Sequence, residues 1–149
     1  MIHAPARSLK GHRGAAVVEF ALVISVFLML LLGAIEFGRV LFYWNTTAEA
    51  TRLGARVAVV CDLNDSQVKA RMTALFPRLQ PDDIAVSYLP TGCNVDSCQS
   101  VTVTINAGKV IDTFIPFAAI SLTLPPFTTT LSRESLQSTF DGVANPVCG

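Results

Sequence analysis

A long apolar run near the beginning of the chain limits what this sequence can fold into. From Phe20 to Ile35 the residues are apolar apart from one serine and one glycine, and the only charged residue between Ala15 and Ile35 is Glu19. A helix over residues 20–35 rises about 24 Å, whereas the hydrocarbon core of a bilayer is about 30 Å thick. The preceding turn must therefore enter the membrane as well, which predicts a transmembrane span at residues 16–35 with Glu19 near its inner boundary.

The charges around this run predict the orientation of the span. Arg7, Lys10 and Arg13 precede it with no acid among them. Lys and Arg that flank a span stay on the cytoplasmic side, so we expect residues 1–14 to form a basic cytoplasmic leader and the chain beyond the span to lie outside the cytoplasm. Over the whole chain 11 Lys and Arg balance 11 Asp and Glu, which gives no reason to expect a nucleic-acid partner.

The helix is predicted to continue well past the membrane. No proline occurs between the leader and Pro77, and apolar or small residues recur at helical spacing opposite a polar stripe. The long N-terminal helix is therefore assigned to residues 15–60. Its aromatic cluster, residues 42–44, is interpreted as a belt at the membrane surface. The alternative is that Phe37, Leu41 and Trp44 form a face that packs on the domain beyond the helix.

Residues 61–149 are predicted to form a small α+β domain. Residues 62–76 have the pattern of a short amphipathic helix, with N-cap candidates at 64–66. Period-two alternation predicts strands at 84–88 and 101–106, the second with a partner either just after Asn106 to Gly108 or near Phe127 to Leu131. The apolar stretch Phe114 to Leu124 contains proline and is too short to span a membrane, so it is interpreted as a loop or a short helix.

Four cysteines lie beyond the span, where the environment oxidises thiols. They are Cys61, Cys93, Cys98 and Cys148, and they permit three pairings. We favour Cys93 with Cys98, which closes a turn, and Cys61 with Cys148, which ties the chain end to the helix. A zinc site is the competing interpretation, but no C-x-x-C pair is present and both histidines lie in the leader, so no metal and no cofactor are expected.

The residues at the start of the helix carry a more specific pattern. A basic leader ends in Gly14, small or apolar residues follow, and Glu19 and Phe20 occupy the fifth and sixth positions after the glycine. This resembles the processing site of type IV pilin-like proteins, in which a membrane-embedded aspartic peptidase, the prepilin peptidase, cuts after the glycine. The resemblance implies cleavage between Gly14 and Ala15. Glycine also suits a cut site physically, because its lack of a side chain admits the backbone closely into a protease cleft.

Glu19 requires an explanation, since a carboxylate inside a span costs about 2.5 to 3.5 kcal/mol on insertion scales. The pilin-like resemblance implies that Glu19, beside Phe20, pairs with the new amino terminus at Ala15 of an adjacent subunit during assembly. The alternative is that its side chain reaches the headgroups at the cytoplasmic boundary.

A wider resemblance covers residues 13–21, 35–39 and 50–56, which look like the TadE-like proteins of the tight-adherence pilus system. It implies a pilin-like domain after the helix and the role of a minor pilin-like component, a pseudopilin, of adhesive Flp pili. The implied partners are other pilin-like subunits, the inner-membrane assembly platform, the prepilin peptidase and membrane lipid. The implied location is the bacterial inner membrane, with one span, a cytoplasmic N-terminus and a periplasmic C-terminal domain, or the pilus itself.

Two other classes of protein remain for comparison. An exported enzyme lacks support, because no A-x-A-like site lies just after the apolar run: Ala48-Glu49-Ala50 comes only beyond a bulky aromatic stretch. No histidine occurs after residue 14, which excludes Ser-His and Cys-His arrangements. Asp82 and Asp83 are interpreted as a solvated turn, and we expect no catalysis. The remaining alternative is a single-span anchor for a periplasmic interaction domain that is never cut.

Overall fold

The computed structural model describes residues 13–106, 110–112 and 121–148. Its architecture confirms the α+β class: a long helix is followed by a short helix and an antiparallel sheet. The predicted leader lies outside the described residues as far as residue 12. Arg13 and Gly14, the last two residues of the predicted leader, are helical and form the first residues of the long helix.

The long helix, α1, runs unbroken over Arg13–Ala58, 46 residues, which corresponds to about 69 Å. It begins two residues before the predicted start and ends two residues before the predicted end. In the part of the chain that the structure describes, this is the one helix long and apolar enough to cross a membrane. Its most apolar window has a mean hydropathy of 2.7 and no residue buried by the rest of the protein.

The second half of α1 packs against everything that follows. Small residues line its buried face: Ala50, Thr51, Gly54, Ala55 and Ala58. Their short side chains bring neighbouring elements close to the helix backbone. The predicted polar stripe is exposed on the opposite face, where Arg52 lies 3.5 Å from Glu49. The small residues thus face the following elements and the polar stripe faces away from them, as expected of an amphipathic helix.

The short helix, α2, spans Ser66–Leu75 and lies against α1. Asp65 is its N-cap, and its side chain accepts a hydrogen bond of 2.8 Å from the backbone N–H of Gln67. The helix stops just before Phe76, the residue preceding Pro77, because proline disfavours helical geometry in the residue ahead of it. Met72 on the inner face of α2 fits directly over Gly54 of α1, where a Cβ would overlap its side chain.

A 3-10 turn follows at Pro81–Asp83, and the described residues beyond it form seven strands. They are β1 Ile84–Leu89, β2 Ser100–Ile105, β3 Val110–Asp112, β4 Ser121–Thr123, β5 Phe127–Ser132, β6 Thr139–Phe140 and β7 Val143–Ala144. The main sheet is antiparallel in the order β1-β2-β5, and β2 and β5 contact α1. The two strands predicted at 84–88 and 101–106 are β1 and β2, and the buried side chains of Val101, Val103 and Ile105 confirm the alternation of β2.

The open question of the partner of β2 is resolved in favour of β5. Of the alternative segment after Asn106, residues 107–109 lie outside the described residues, and the next described strand, β3, pairs with β4 in a separate two-stranded sheet. Residues 113–120, most of the predicted apolar loop or short helix, lie outside the described residues. That interpretation is wrong for Ser121–Thr123, which is extended because its backbone pairs with β3.

The segment after β5 covers the end of α1. Backbone N–H groups of Glu134 and Leu136 donate to the carbonyl of Val59 at 3.2 Å each, and that of Gln137 donates to the carbonyl of Val60 at 3.1 Å. These are carbonyls at a helix end, which need partners from outside the helix. The side chain of Leu136 is fully buried, so this crossing belongs to the core.

Candidate functional site at the exposed half of the long helix

The residues predicted for processing and assembly all lie in the first two turns of α1. Gly14, Ala15, Glu19 and Phe20 are exposed. A Cβ at Gly14 would meet no atom of the described residues within 4 Å, so packing among these residues does not require glycine there. Ala15 and Glu19 are four residues apart and share one face of the helix. Gly14 thus calls for an explanation outside the fold of the single chain.

Beyond Phe20 the helix presents a continuous apolar surface. Phe20, Met29 and Leu30 are 68%, 76% and 70% exposed, and most large apolar residues between them are also exposed. An apolar surface of this length is far larger than soluble proteins leave open to water. The one hydroxyl in this stretch, on Ser25, donates to the carbonyl of Ala21 at 2.6 Å, so it needs no water. The surface therefore suits lipid or other helices.

The first contact between charged side chains appears where this apolar surface ends. Nη1 of Arg39 lies 2.7 Å from Oε1 of Glu36 in an ion pair one turn along the helix. The guanidinium of Arg39 also lies 6.0 Å from the ring centroid of Tyr43, and that of Arg78 lies 5.1 Å from the same ring. Arg78 was not identified from the sequence, because it reaches Tyr43 only through the fold of α2 onto α1.

The aromatic cluster after the span divides between the two interpretations given to it. The rings of Tyr43 and Phe76 are 5.9 Å apart, and those of Trp44 and Phe127 meet edge to face at 5.7 Å. Tyr43 and Trp44 therefore pack on the α+β domain that follows α1, residues 61–149, which is called the outer domain below. Phe42 remains 63% exposed and faces outward.

Two disulfides lie in the outer domain, and their pairing is the one favoured from the sequence. Cys61 is joined to Cys148, with Cα atoms 5.5 Å apart, and Cys93 is joined to Cys98, with Cα atoms 4.9 Å apart. A carboxylate oxygen of Asp65 lies within 4.8 Å of the sulfurs of Cys61 and Cys148. Because these sulfurs are bonded to each other, they offer no thiolate to a metal.

The long helix thus has an exposed apolar first half, and its second half packs on a small α+β domain. The model of the TadE-like protein family matches residues 14–56, which lie entirely within α1. This match confirms the resemblance seen in the sequence, and the family implies a pilin-like protein associated with a Tad pilus system. Neither the curated proteins nor the solved structures contain a match to the chain.

Proposed function

We propose that the protein is a minor pilin-like component, a pseudopilin, of a tight-adherence (Flp-type) pilus assembly system. A prepilin peptidase would cut it after Gly14, and it would assemble through α1 without catalysis of its own. One observation carries the proposal: the segment that matches the TadE-like family begins at Gly14 and includes an apolar helix half that none of the described residues covers.

The position of Gly14 supports processing at this bond. The glycine is exposed in the first turn of α1 and is the last residue of the basic leader. A peptidase cleft needs close access to the backbone, and a glycine that the fold does not otherwise use provides it. The new amino terminus would be that of Ala15, at the head of the apolar helix.

The spacing between Ala15 and Glu19 supports assembly by charge pairing. One helical turn, about 5.4 Å, separates the new amine from the carboxylate of the same subunit. A neighbouring helix displaced by about one turn would bring its own amine beside Glu19. In a low-dielectric environment each charge then offsets the other, which lowers the cost of having either near the membrane.

The remaining features support helix partners in a membrane and an outer domain outside the cytoplasm. Gly33 and Gly38 are exposed and have open space where a Cβ would stand, so helices of other pilin-like subunits or of the assembly platform can approach closely there. Both disulfides lie after the span, which suits a periplasmic domain.

The mass of the protein purified from membranes of cells that carry the pilus system tests the proposal. We expect a chain that begins at Ala15. A chain that keeps its leader would favour the uncut membrane-anchored interaction domain, and a cut beyond Ile35 would favour an exported protein. Gly14→Leu should block cleavage, whereas Gly33→Leu, the same change at an exposed glycine of the same helix, should not.

A further inference from the structure

We propose that the lower rim of the outer domain sits in the phospholipid headgroup layer, with Arg78 contacting lipid phosphate. The lower rim is defined as Phe42, Tyr43, Trp44, Arg78 and Phe127. The inference rests on the proposed function for the span and its orientation, and it adds a lipid contact made by the domain itself.

The length of α1 brings the rim to the right depth. From Ile35, the end of the apolar run, to Tyr43 the helix rises about 12 Å. The headgroup layer on each side of the hydrocarbon is about 5–8 Å thick. Side chains on a helix point back toward its N-terminus, so the rings of Tyr43 and Trp44 extend from their Cα atoms toward the membrane. The lower edge of the domain therefore meets the headgroups.

The exposed surface next to the rim continues the apolar character of the span. Phe37, Leu41, Phe42 and Trp44 are 64%, 45%, 63% and 46% exposed, although the domain is already packed on α1 at Tyr43 and Trp44. Aromatic residues in such positions are typical of the interface between membrane and water, where one side of a ring is apolar and the other wet. The apolar environment thus extends about as far as Trp44.

Arg78 adds a charge to this surface. Its guanidinium lies 5.1 Å from the ring centroid of Tyr43, and that ring is held in turn by Phe76 at 5.9 Å. Arg39 approaches the same ring but already has a carboxylate, Glu36, at 2.7 Å. Arg78 is exposed, and among the residues that the structure describes it has no carboxylate within ion-pair distance.

An arginine held flat on an aromatic ring at this depth fits a phosphate. The planar guanidinium offers several donors in a fixed fork, which matches phosphate oxygens, and stacking on Tyr43 restricts its orientation beforehand. The apolar residues on the same level of α1 continue the lipid-facing surface directly. We therefore assign lipid, rather than a carboxylate of a neighbouring subunit, as the occupant.

The single tryptophan of the chain, Trp44, reports on this contact. Full-length protein is reconstituted into phosphatidylglycerol and phosphatidylethanolamine vesicles, and its fluorescence is quenched by aqueous acrylamide or by headgroup-labelled lipid. Wild type should be protected from acrylamide and quenched by the lipid label. Arg78→Gln should lower the ratio of docked to undocked rim by about fivefold, the factor expected for the loss of one arginine at an anionic phospholipid surface. Arg78→Lys keeps the charge but loses the planar fork, so its protection should fall between that of wild type and that of Arg78→Gln.

Matched controls separate the possible outcomes. Arg56→Gln changes an exposed arginine of α1 that lies 13 residues beyond Tyr43, about 20 Å along the helix, and should change nothing. In vesicles of phosphate-free galactolipid, wild type and Arg78→Gln should behave alike. The proposal would be overturned if wild type and Arg78→Gln behaved alike in phospholipid vesicles. It would also be overturned if Arg78→Gln lost as much protection of Trp44 in galactolipid as in phospholipid, or if its effect depended on the density of protein in the vesicles.

A parallel measurement distinguishes this proposal from the proposed function. The N-terminal mass of the same preparation reports processing independently of Trp44. A protected Trp44 in an uncut chain would contradict processing and leave the lipid contact standing. An unprotected Trp44 in a chain beginning at Ala15 would contradict the lipid contact and leave processing standing.

Discussion

Cys61, three residues beyond the end of α1, is bonded to Cys148, so the chain closes on the end of its own long helix. The bond joins residues 87 positions apart. Replacing both cysteines with serine should lower the free energy of unfolding of the outer domain by up to about 4 to 5 kcal/mol, because the unfolded chain then regains the freedom of a very long loop. Urea denaturation of the full-length protein in detergent, followed by near-ultraviolet circular dichroism, measures this loss.

The second disulfide provides the comparison. Cys93 and Cys98 are only 5 positions apart, so the same double replacement there should cost at most about 2 kcal/mol. Equal losses for the two pairs would contradict the dependence on loop length.

Gly54 is predicted to be essential for the contact between α1 and α2. A Cβ at this position would overlap the fully buried side chain of Met72, so Gly54→Ala should destabilise the domain by about 1–3 kcal/mol, despite the better helix propensity of alanine. Gly38→Ala is the matched control, since a Cβ there meets nothing within 4 Å. Unfolding in urea should distinguish the two variants, and shortening Met72 to alanine should reduce the effect of Gly54→Ala. A Gly54→Ala protein as stable as wild type would contradict the prediction, because α1 and α2 would then accommodate the added Cβ without loss of stability.

Tyr88 predicts how stability responds to alkaline pH. Burial raises the pKa of its phenol; the hydrogen bond from the backbone N–H of Asn64 lowers it in part, and the charge of Asp65 raises it further. The folded protein therefore holds this proton more tightly than the unfolded chain does. The resulting stability is fully present below about pH 10, the unfolded pKa, and is lost as the pH rises through the higher folded value.

Urea titrations between neutral pH and pH 11.5 check this expectation. The decline above about pH 10 should be weaker in Tyr88→Phe, which has no phenol to ionise. If both proteins decline alike, Tyr88 contributes nothing to the alkaline response.

The structure shows why some of these contacts were accessible from the sequence and others were not. The long helix and β2 follow from local patterns, an apolar run and a strict alternation, so both were predicted within a few residues. The partner of β2 was left open, because pairing with β5 depends on residues far along the chain. The role of Leu136 left no signal at all: it is an isolated leucine in a polar segment, buried because its backbone caps the end of α1.

The residues of the candidate site also divide into those recognisable from local sequence and those that depend on the fold. Gly14 and Glu19 were identified because their chemistry is unusual at the start of an apolar helix, and that holds without knowledge of the fold. Arg78 and Tyr43 become neighbours only when α2 packs against α1, so sequence spacing gives no hint of their contact.

Glu19 offers the most direct test of the assembly role. Glu19→Ala removes a carboxylate that costs about 2.5 to 3.5 kcal/mol in a span, so insertion into the membrane should be unaffected or improved. Without a counter-charge for the amine of the neighbouring subunit, pilus counts should fall by about tenfold or more, the factor that corresponds to about 1.4 kcal/mol. Glu19→Gln, which keeps the shape and loses the charge, should have the same effect.

Glu49→Ala is the control for Glu19→Ala. It removes an exposed carboxylate of the same helix whose partner, Arg52, is also exposed, and such surface pairs contribute little. Electron microscopy of cells expressing each variant at equal membrane levels gives the counts. Wild-type numbers of pili in the Glu19→Ala strain would rule out charge pairing, whereas an equal loss in the Glu49→Ala strain would point to a general need for negative charge along α1.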